Sequence, residues 1–230
     1  MVIEKVIKKG LAIFFLTCSF SLGSELSPNQ TKKVGGQNLI SQVVGVAGEN
    51  VVTSREVQIV NLLEKAQKGN EDLKLIDSED MKFSNEISQV LIEIVVMSEA
   101  NVFDLSPLKK EEFESESTRL QKKLAASSDW KKLQVSSLEF EKFLRRKMVA
   151  KKFINLKSDS MKGIISDQEA KDYFEKNRLK FGQVPFAEFK ENIKTFLSQQ
   201  QLEERLTAWF EVIKKKYKVK NYQNEIRSVM

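Results

Sequence analysis

Few side chains in this chain could do chemistry, and the type that enzymes use most is missing. There is no histidine, and Cys18 is the single cysteine. Without histidine there is no ordinary general base near neutral pH, no Ser-His-Asp arrangement and no imidazole of the kind most zinc sites use. The glycines form neither GxGxxG nor GxxxxGK[ST], so no phosphate-cradling loop is present. Acidic pairs are what remains. Glu111/Glu112 and Glu203/Glu204 are adjacent in helical stretches, and adjacent helical residues diverge. "DSED" at 77–80 lacks EF-hand spacing and reads as a loop that begins a helix. These residues point away from an enzyme and call for no cofactor and no metal.

The elements that would position any site are mostly helical. Thr53 with Glu56, Ser136 with Glu139 and Ser166 with Glu169 are capping-box pairs. Ser106 before Pro107 puts a capping hydroxyl ahead of a first-turn proline. These starts predict helices near 54–67, 84–103, 107–126, 137–157, 167–180 and 186–216. In "ISQVLIEIVVMSEANVF", Ile87, Leu91, Ile94, Val95 and Val102 share one face, and Val90, Ile92, Val96 and Met97 cover much of the rest. A helix apolar nearly all round belongs at the centre of a fold. The last long helix carries two stripes. Phe186, Phe189, Ile193, Phe196 and Leu197 form one; Leu202, Leu206, Trp209, Phe210 and Ile213 form another, almost opposite. The change falls at Ser198–Gln201. Either the helix breaks there, or one straight helix touches two separate bodies.

Ahead of the helices, "VVGVAGENVVTSREV" reads as a hairpin. Val43, Val44 and Val46 make one run, Val51, Val52 and Thr53 the other, with Gly48, Glu49 and Asn50 at the turn. A two-stranded hairpin alone is barely stable. "YKVKNY", Tyr217 to Tyr222, alternates with period two and is the natural third strand. The expected fold is therefore mainly α, with a small three-stranded sheet made by the N-terminal hairpin and the C-terminal strand.

Residues 1–23 have the layout of a secretory signal peptide: Lys5, Lys8 and Lys9, then the apolar run "GLAIFFLTCSFSLG", then polar "SELSPNQTKK". Ser21 and Gly23 place cleavage after Gly23; an uncleaved anchor and a lipidated Cys18 are the alternatives. After removal no stable membrane span is expected. The mature chain would hold no cysteine and so no disulfide. Its formal charge would fall from +6 to +4, because the segment carries Lys5, Lys8, Lys9 and one acid, Glu4. The runs "KK" at 109–110, 122–123 and 131–132, "RRK" at 145–147 and "KKK" at 214–216 are interspersed with acids and read as solvated helix faces. With an export signal, no nucleic-acid partner is expected. Residues 24–39 read as a flexible tail, 40–222 as one module and 223–230 as a second tail.

The order of these pieces resembles the chaperone module of SurA and its relatives. The sharpest matching stretches are "VVGVAGENVVTSREV" and "ISDQEAKDYFEKNRLKFG", followed by "VPFAEFKENIKTFLSQQQLEERLTAWFEVIKKKYKVKNY". The likeness spans about residues 40–222. SurA-like proteins carry parvulin prolyl-isomerase domains between two such stretches. Here only residues 176–185 separate Glu175 from Phe186, and a domain needs roughly 50 residues or more. The resemblance thus implies a periplasmic, non-catalytic chaperone whose clients are unfolded polypeptides, typically outer-membrane β-barrel proteins. It implies a groove lined by adaptable Met and Phe side chains. The candidates for peptide binding are Met81, Phe83, Met97, Phe103, Phe113, Trp130, Phe140, Phe143, Met148 and Phe153. The other reading of each is an ordinary place in the core; Phe83, Phe103 and Phe113, near expected helix ends, are the ones placed to line a mouth. Two rivals stand beside this reading. One is a scaffold that binds one dedicated cell-envelope partner, or itself as a homodimer by exchanging the terminal strand. The other is a degenerate prolyl isomerase.

Overall fold

The computed structural model describes residues 41–103 and 108–223. The signal-peptide segment, the whole first tail, the Ser106–Pro107 helix start and most of the second tail lie outside the described residues. Among the described residues there are eight helices and three strands.

Strand β1 (Val43–Ala47) and strand β2 (Asn50–Thr53) form the hairpin. They run antiparallel, Val46 opposite Val51 and Ala47 opposite Asn50, with an irregularity between Val43 and Gly45. Gly48 turns the chain at φ 61°, where a side chain would be strained. The third strand is present but shorter than the alternation in "YKVKNY" suggests. It is Lys220–Asn221 alone (β3), paired antiparallel with β1. Tyr217 instead ends the last helix, and Lys218 has φ 49°. The sheet order is β2-β1-β3. A Cβ on Gly45 would sit 2.7 Å from the Lys220 carbonyl oxygen, so glycine is what lets β3 approach. Asn221 locks the strand down by donating to the Ser84 carbonyl (2.9 Å) and to Ser88 Oγ (2.8 Å).

The helices begin at β2. Helix α1 is Ser54–Gln67, capped by Thr53 Oγ1, which accepts from the Glu56 N–H. Only this half of the expected capping box forms, because the Glu56 carboxylate turns to Arg146 instead. Helix α2 runs Met81–Val102, started by the Asp80 carboxylate, the last residue of "DSED". Helix α3 is Lys110–Leu124, later than the expected start, with Lys109 at the cap and no side-chain cap bond. A short helix α4, Ser128–Lys132, has no counterpart among the expected elements; Ser127 caps it. Helix α5 spans Ser137–Met161 with the complete Ser136/Glu139 capping box. Arg55, by hydrogen bond, and the Ser136 N–H together hold the Glu139 carboxyl down at about 2.

The expected helix over 167–180 is two: α6, Asp167–Lys176, with its Ser166/Glu169 box, and α7, Arg178–Phe181. Asn177 separates them because it ends α6, its N–H turned back on that helix's last carbonyls. Helix α8, Phe186–Lys216, is continuous through Ser198–Gln201.

Helix α2 is the central element, as an all-round apolar helix must be. Ile87, Leu91 and Val95 are fully buried, and α2 touches the sheet, α1, α5 and α8. Val102 departs from this pattern: it is 71% exposed at the helix end. Helix α8 meets two apolar bodies. Leu202, Leu206, Phe210 and Ile213 join the main core. Ile193 joins Ala170 and Phe174 of α6 in a separate small cluster, edged by Phe186, Phe189 and Leu197.

The loop from α1 to α2 is tied from below. Gln58, buried on α1, both accepts from the Ile76 N–H (3.0 Å) and donates to its carbonyl (2.6 Å). Ser127 Oγ donates to the Leu73 carbonyl (2.8 Å). These side chains do for an irregular segment what a strand partner would otherwise do.

Candidate functional site

The concave feature with the most to offer is a cleft of about 630 Å³ between α1, α2, α3 and α5. Its floor is apolar: Val60 of α1, Val90 and Ile92 of α2, and Ala150 and Ile154 of α5, all buried. Its walls are charged, with Glu64, Glu86, Glu93 and Glu116 interleaved with Lys68, Lys147, Lys151 and Arg119. The helices place them by simple spacing. Glu86 and Glu93 are seven apart on α2, hence on one face, inside a segment otherwise almost wholly apolar.

Ion pairs, some between helices and some along one helix, consume most of this charge. Lys147 Nζ lies 3.1 Å from Glu64 and 3.2 Å from Glu93. Arg146, beside it on α5, reaches Glu56 at 2.6 Å and Glu93 at 2.9 Å. Lys68 holds Glu64 at 2.6 Å, and Arg119 holds Glu116 at 2.7 Å. The protonation states follow. Burial alone would raise the Glu64 carboxyl, but Lys147 and Lys68 outweigh it and hold it below the usual range. Burial alone would lower the Lys147 ammonium, but Glu93 and Glu64 outweigh it and hold it above the usual range. Glu86 goes the other way. Burial pushes its carboxyl up, a hydrogen bond from Asn61 opposes this, and the nearby Glu64 charge adds to the rise.

Arg146 and Lys147 correct an expectation. By sequence the "RRK" run reads as a solvated face, yet these two side chains are only 11% and 15% exposed. They are the rivets of a three-helix network. The signal that could have found them is Glu93, an acid inside an apolar stretch of α2, which needs a cation opposite.

The Met and Phe candidates lie elsewhere. Phe83, Phe113, Phe140, Phe143 and Phe153 are buried members of the main core, where their rings contact other core residues rather than solvent. Trp130 and Met148 are half-buried and pack against that core, and Met97 is also half-buried. Of the three mouth candidates, Phe83 is inside. Phe113 borders a second cavity, about 460 Å³ between α3 and α5, with the Arg145 guanidinium 4.5 Å above its ring. Phe103 is 58% exposed. It leans on Phe153 with centroids 5.6 Å apart, and Phe153 in turn meets Trp209 at 6.0 Å. Lys157 Nζ lies over both ends of this row, 5.6 Å from the exposed Phe103 and 5.8 Å from the half-buried Trp209. Met81 is exposed at the first residue of α2. The structure thus brings Phe103 and Phe153 together, pairs Trp130 edge-on with Phe140 at 6.3 Å, and assembles no continuous Met/Phe groove from the ten.

Among the described residues no group of three or more acids, cysteines or histidines is placed to hold a metal ion. No helix among them is long and apolar enough to cross a membrane. Compared with protein-family models, with curated proteins and with solved structures, the chain matches none of them.

Proposed function

We propose that this protein is a periplasmic holdase: a non-catalytic, SurA-like chaperone that binds unfolded polypeptides, outer-membrane β-barrel proteins foremost among them. The observation that carries the reading is the cleft, with its apolar floor and walls of both charges. An unfolded barrel strand alternates apolar and polar side chains. A surface that offers both suits such a strand without selecting one sequence. The second support is the order of elements: a hairpin, a helical body, and a returning helix and strand that close the same sheet. A holdase works by lowering the free concentration of the unfolded chain. It must also release it, so affinity near micromolar, about −8 kcal/mol, suits the task.

The test is light scattering from a urea-unfolded β-barrel protein diluted into buffer. Near-stoichiometric amounts of this protein should suppress scattering, and catalytic amounts should not. Unchanged scattering across the concentration range would remove the reading. A proline-peptide assay should show no isomerisation above background; catalysis would remove the non-catalytic part.

A scaffold role is the second reading. Ile164, Leu179 and Phe196 are large apolar side chains exposed on and around α6, α7 and the first half of α8. A single stoichiometric complex in pull-downs, without suppression of scattering, would favour it.

A further inference from the structure

The cleft's acids are unequal. Glu64, Glu93 and Glu116 are each answered by a cation of this chain. Among the described residues no ion pair reaches Glu86; its contact is the Asn61 amide. Asn61 itself is buried, and its Oδ1 has no hydrogen-bond donor. A partly buried carboxylate that lines the cleft with no ion pair of its own, reached only by the fields of Lys147 and Lys68, which are paired with Glu64, is an arrangement that something rich in N–H groups would complete.

We propose that the cleft recognises a client through a Lys or Arg side chain whose cationic head sits on the Glu86 carboxylate and whose aliphatic stem lies on Val90 and Ile154. This rests on the polypeptide-binding reading above and names the client chemistry. Three arguments support it. An ammonium carries three donors and a guanidinium five, and the Glu86 carboxylate, which lines the cleft, has acceptor room beyond its Asn61 contact. The apolar floor matches the methylenes of a long basic side chain, which bury their stem while the head stays with its partner. An anionic group finds no free cation deep in the cleft, because Lys147 is held between Glu64 and Glu93. A metal ion finds no converging set of ligands among the described residues. In a strand of alternating pattern, such a cation falls between apolar neighbours, as it does on the polar face of an unfolded barrel strand.

The experiment uses fluorescence anisotropy with the purified protein. The probes are labelled, unstructured peptides of alternating apolar and polar residues, identical except for a central Lys, norleucine or Glu. The Lys peptide should bind about tenfold tighter than the Glu peptide, with norleucine between them, a gap of about 1.4 kcal/mol. Glu86→Gln should bring the Lys-to-Glu ratio close to one, whereas Glu175→Gln, on α6 outside the cleft, should keep it. The peptide series on the unaltered protein needs no variant to fold. Light scattering is run on the same preparations. Suppressed scattering with equal affinity for all three peptides, or with a Lys preference that survives Glu86→Gln, overturns this inference and leaves the holdase reading standing. No suppression and no peptide binding overturns both.

Discussion

Arg146 and Lys147 stand side by side on α5 and hold α1 and α2 against it through Glu56, Glu64 and Glu93. Buried ion pairs of this kind add little net stability compared with apolar packing, but removing one member leaves a buried charge unanswered. Arg146→Ala should therefore destabilise the protein by about 3–5 kcal/mol, read as a lowered urea midpoint. An Arg146→Met variant, which fills the space, should lose less in total only if Glu56 and Glu93 find water; comparing the two midpoints separates packing from charge. Glu86 carries the opposite prediction. Its folded carboxyl is raised above the ordinary 4.5. The folded state then binds more protons than the unfolded one between those two values, so its ionisation costs stability as pH rises through that window. Glu86→Gln should raise the melting temperature at pH 7.5, on the order of 2 °C for a chain of this size. The gain should vanish below the ordinary glutamate range, where the carboxyl is protonated in both states. A variant that melts lower at pH 7.5 would show that the carboxylate is already satisfied within the fold.

At the scale of elements, α8 is the piece that does two jobs. Its first half closes the small cluster with Ala170 and Phe174, and its second half joins the main core. No residue breaks it at Ser198–Gln201, because that stretch is made of good or neutral helix formers and both flanks are anchored. Phe174→Ala should empty the small cluster. Hydrogen exchange should then show α6 amides losing protection while those of α2 keep theirs, since the small cluster is separate from the main core to which α2 belongs. Loss of protection in both would mean that the small cluster and the core unfold as one. The break at Asn177, the short α4 and the shortening of the expected third strand to Lys220–Asn221 were not legible in the sequence. Each is shorter than the window that periodicity needs, and each is decided by what it lies against.

At the scale of the whole molecule, the sheet joins the two ends of the described chain. β1 is flanked by β2, its neighbour in sequence, and by β3, which arrives after every helix. The Gly48 N–H donates to the Tyr217 carbonyl at 2.6 Å, a second tie between the ends. Ending the chain at Tyr217 would keep that tie and remove β3. It would bare the edge of β1 and release Ser84 and Ser88 from Asn221. An uncovered edge is a template for another chain. The truncated protein should melt lower and form concentration-dependent dimers in sedimentation; a stable monomer would show that β3 is dispensable.

The sequence by itself determined the mainly helical class, the hairpin, the caps of α1, α5 and α6, the central place of α2 and the double allegiance of α8. Those signals are local: a hydroxyl and a carboxylate three residues apart, or an apolar stripe at helical spacing, act through the backbone that carries them. Only the tertiary structure decided which aromatics are core and which are exposed. A Phe on an amphipathic face has the same spacing in either case, and Phe83 is buried while Phe103 is not. It also decided the cleft. Arg146 meets Glu93 across 53 residues of sequence and Glu56 across 90, and no local pattern encodes the rotation of three helices that brings them together. That same rotation pairs Glu93 with Arg146 and Lys147 and leaves Glu86, seven residues earlier on the same face, with no ion pair among the described residues.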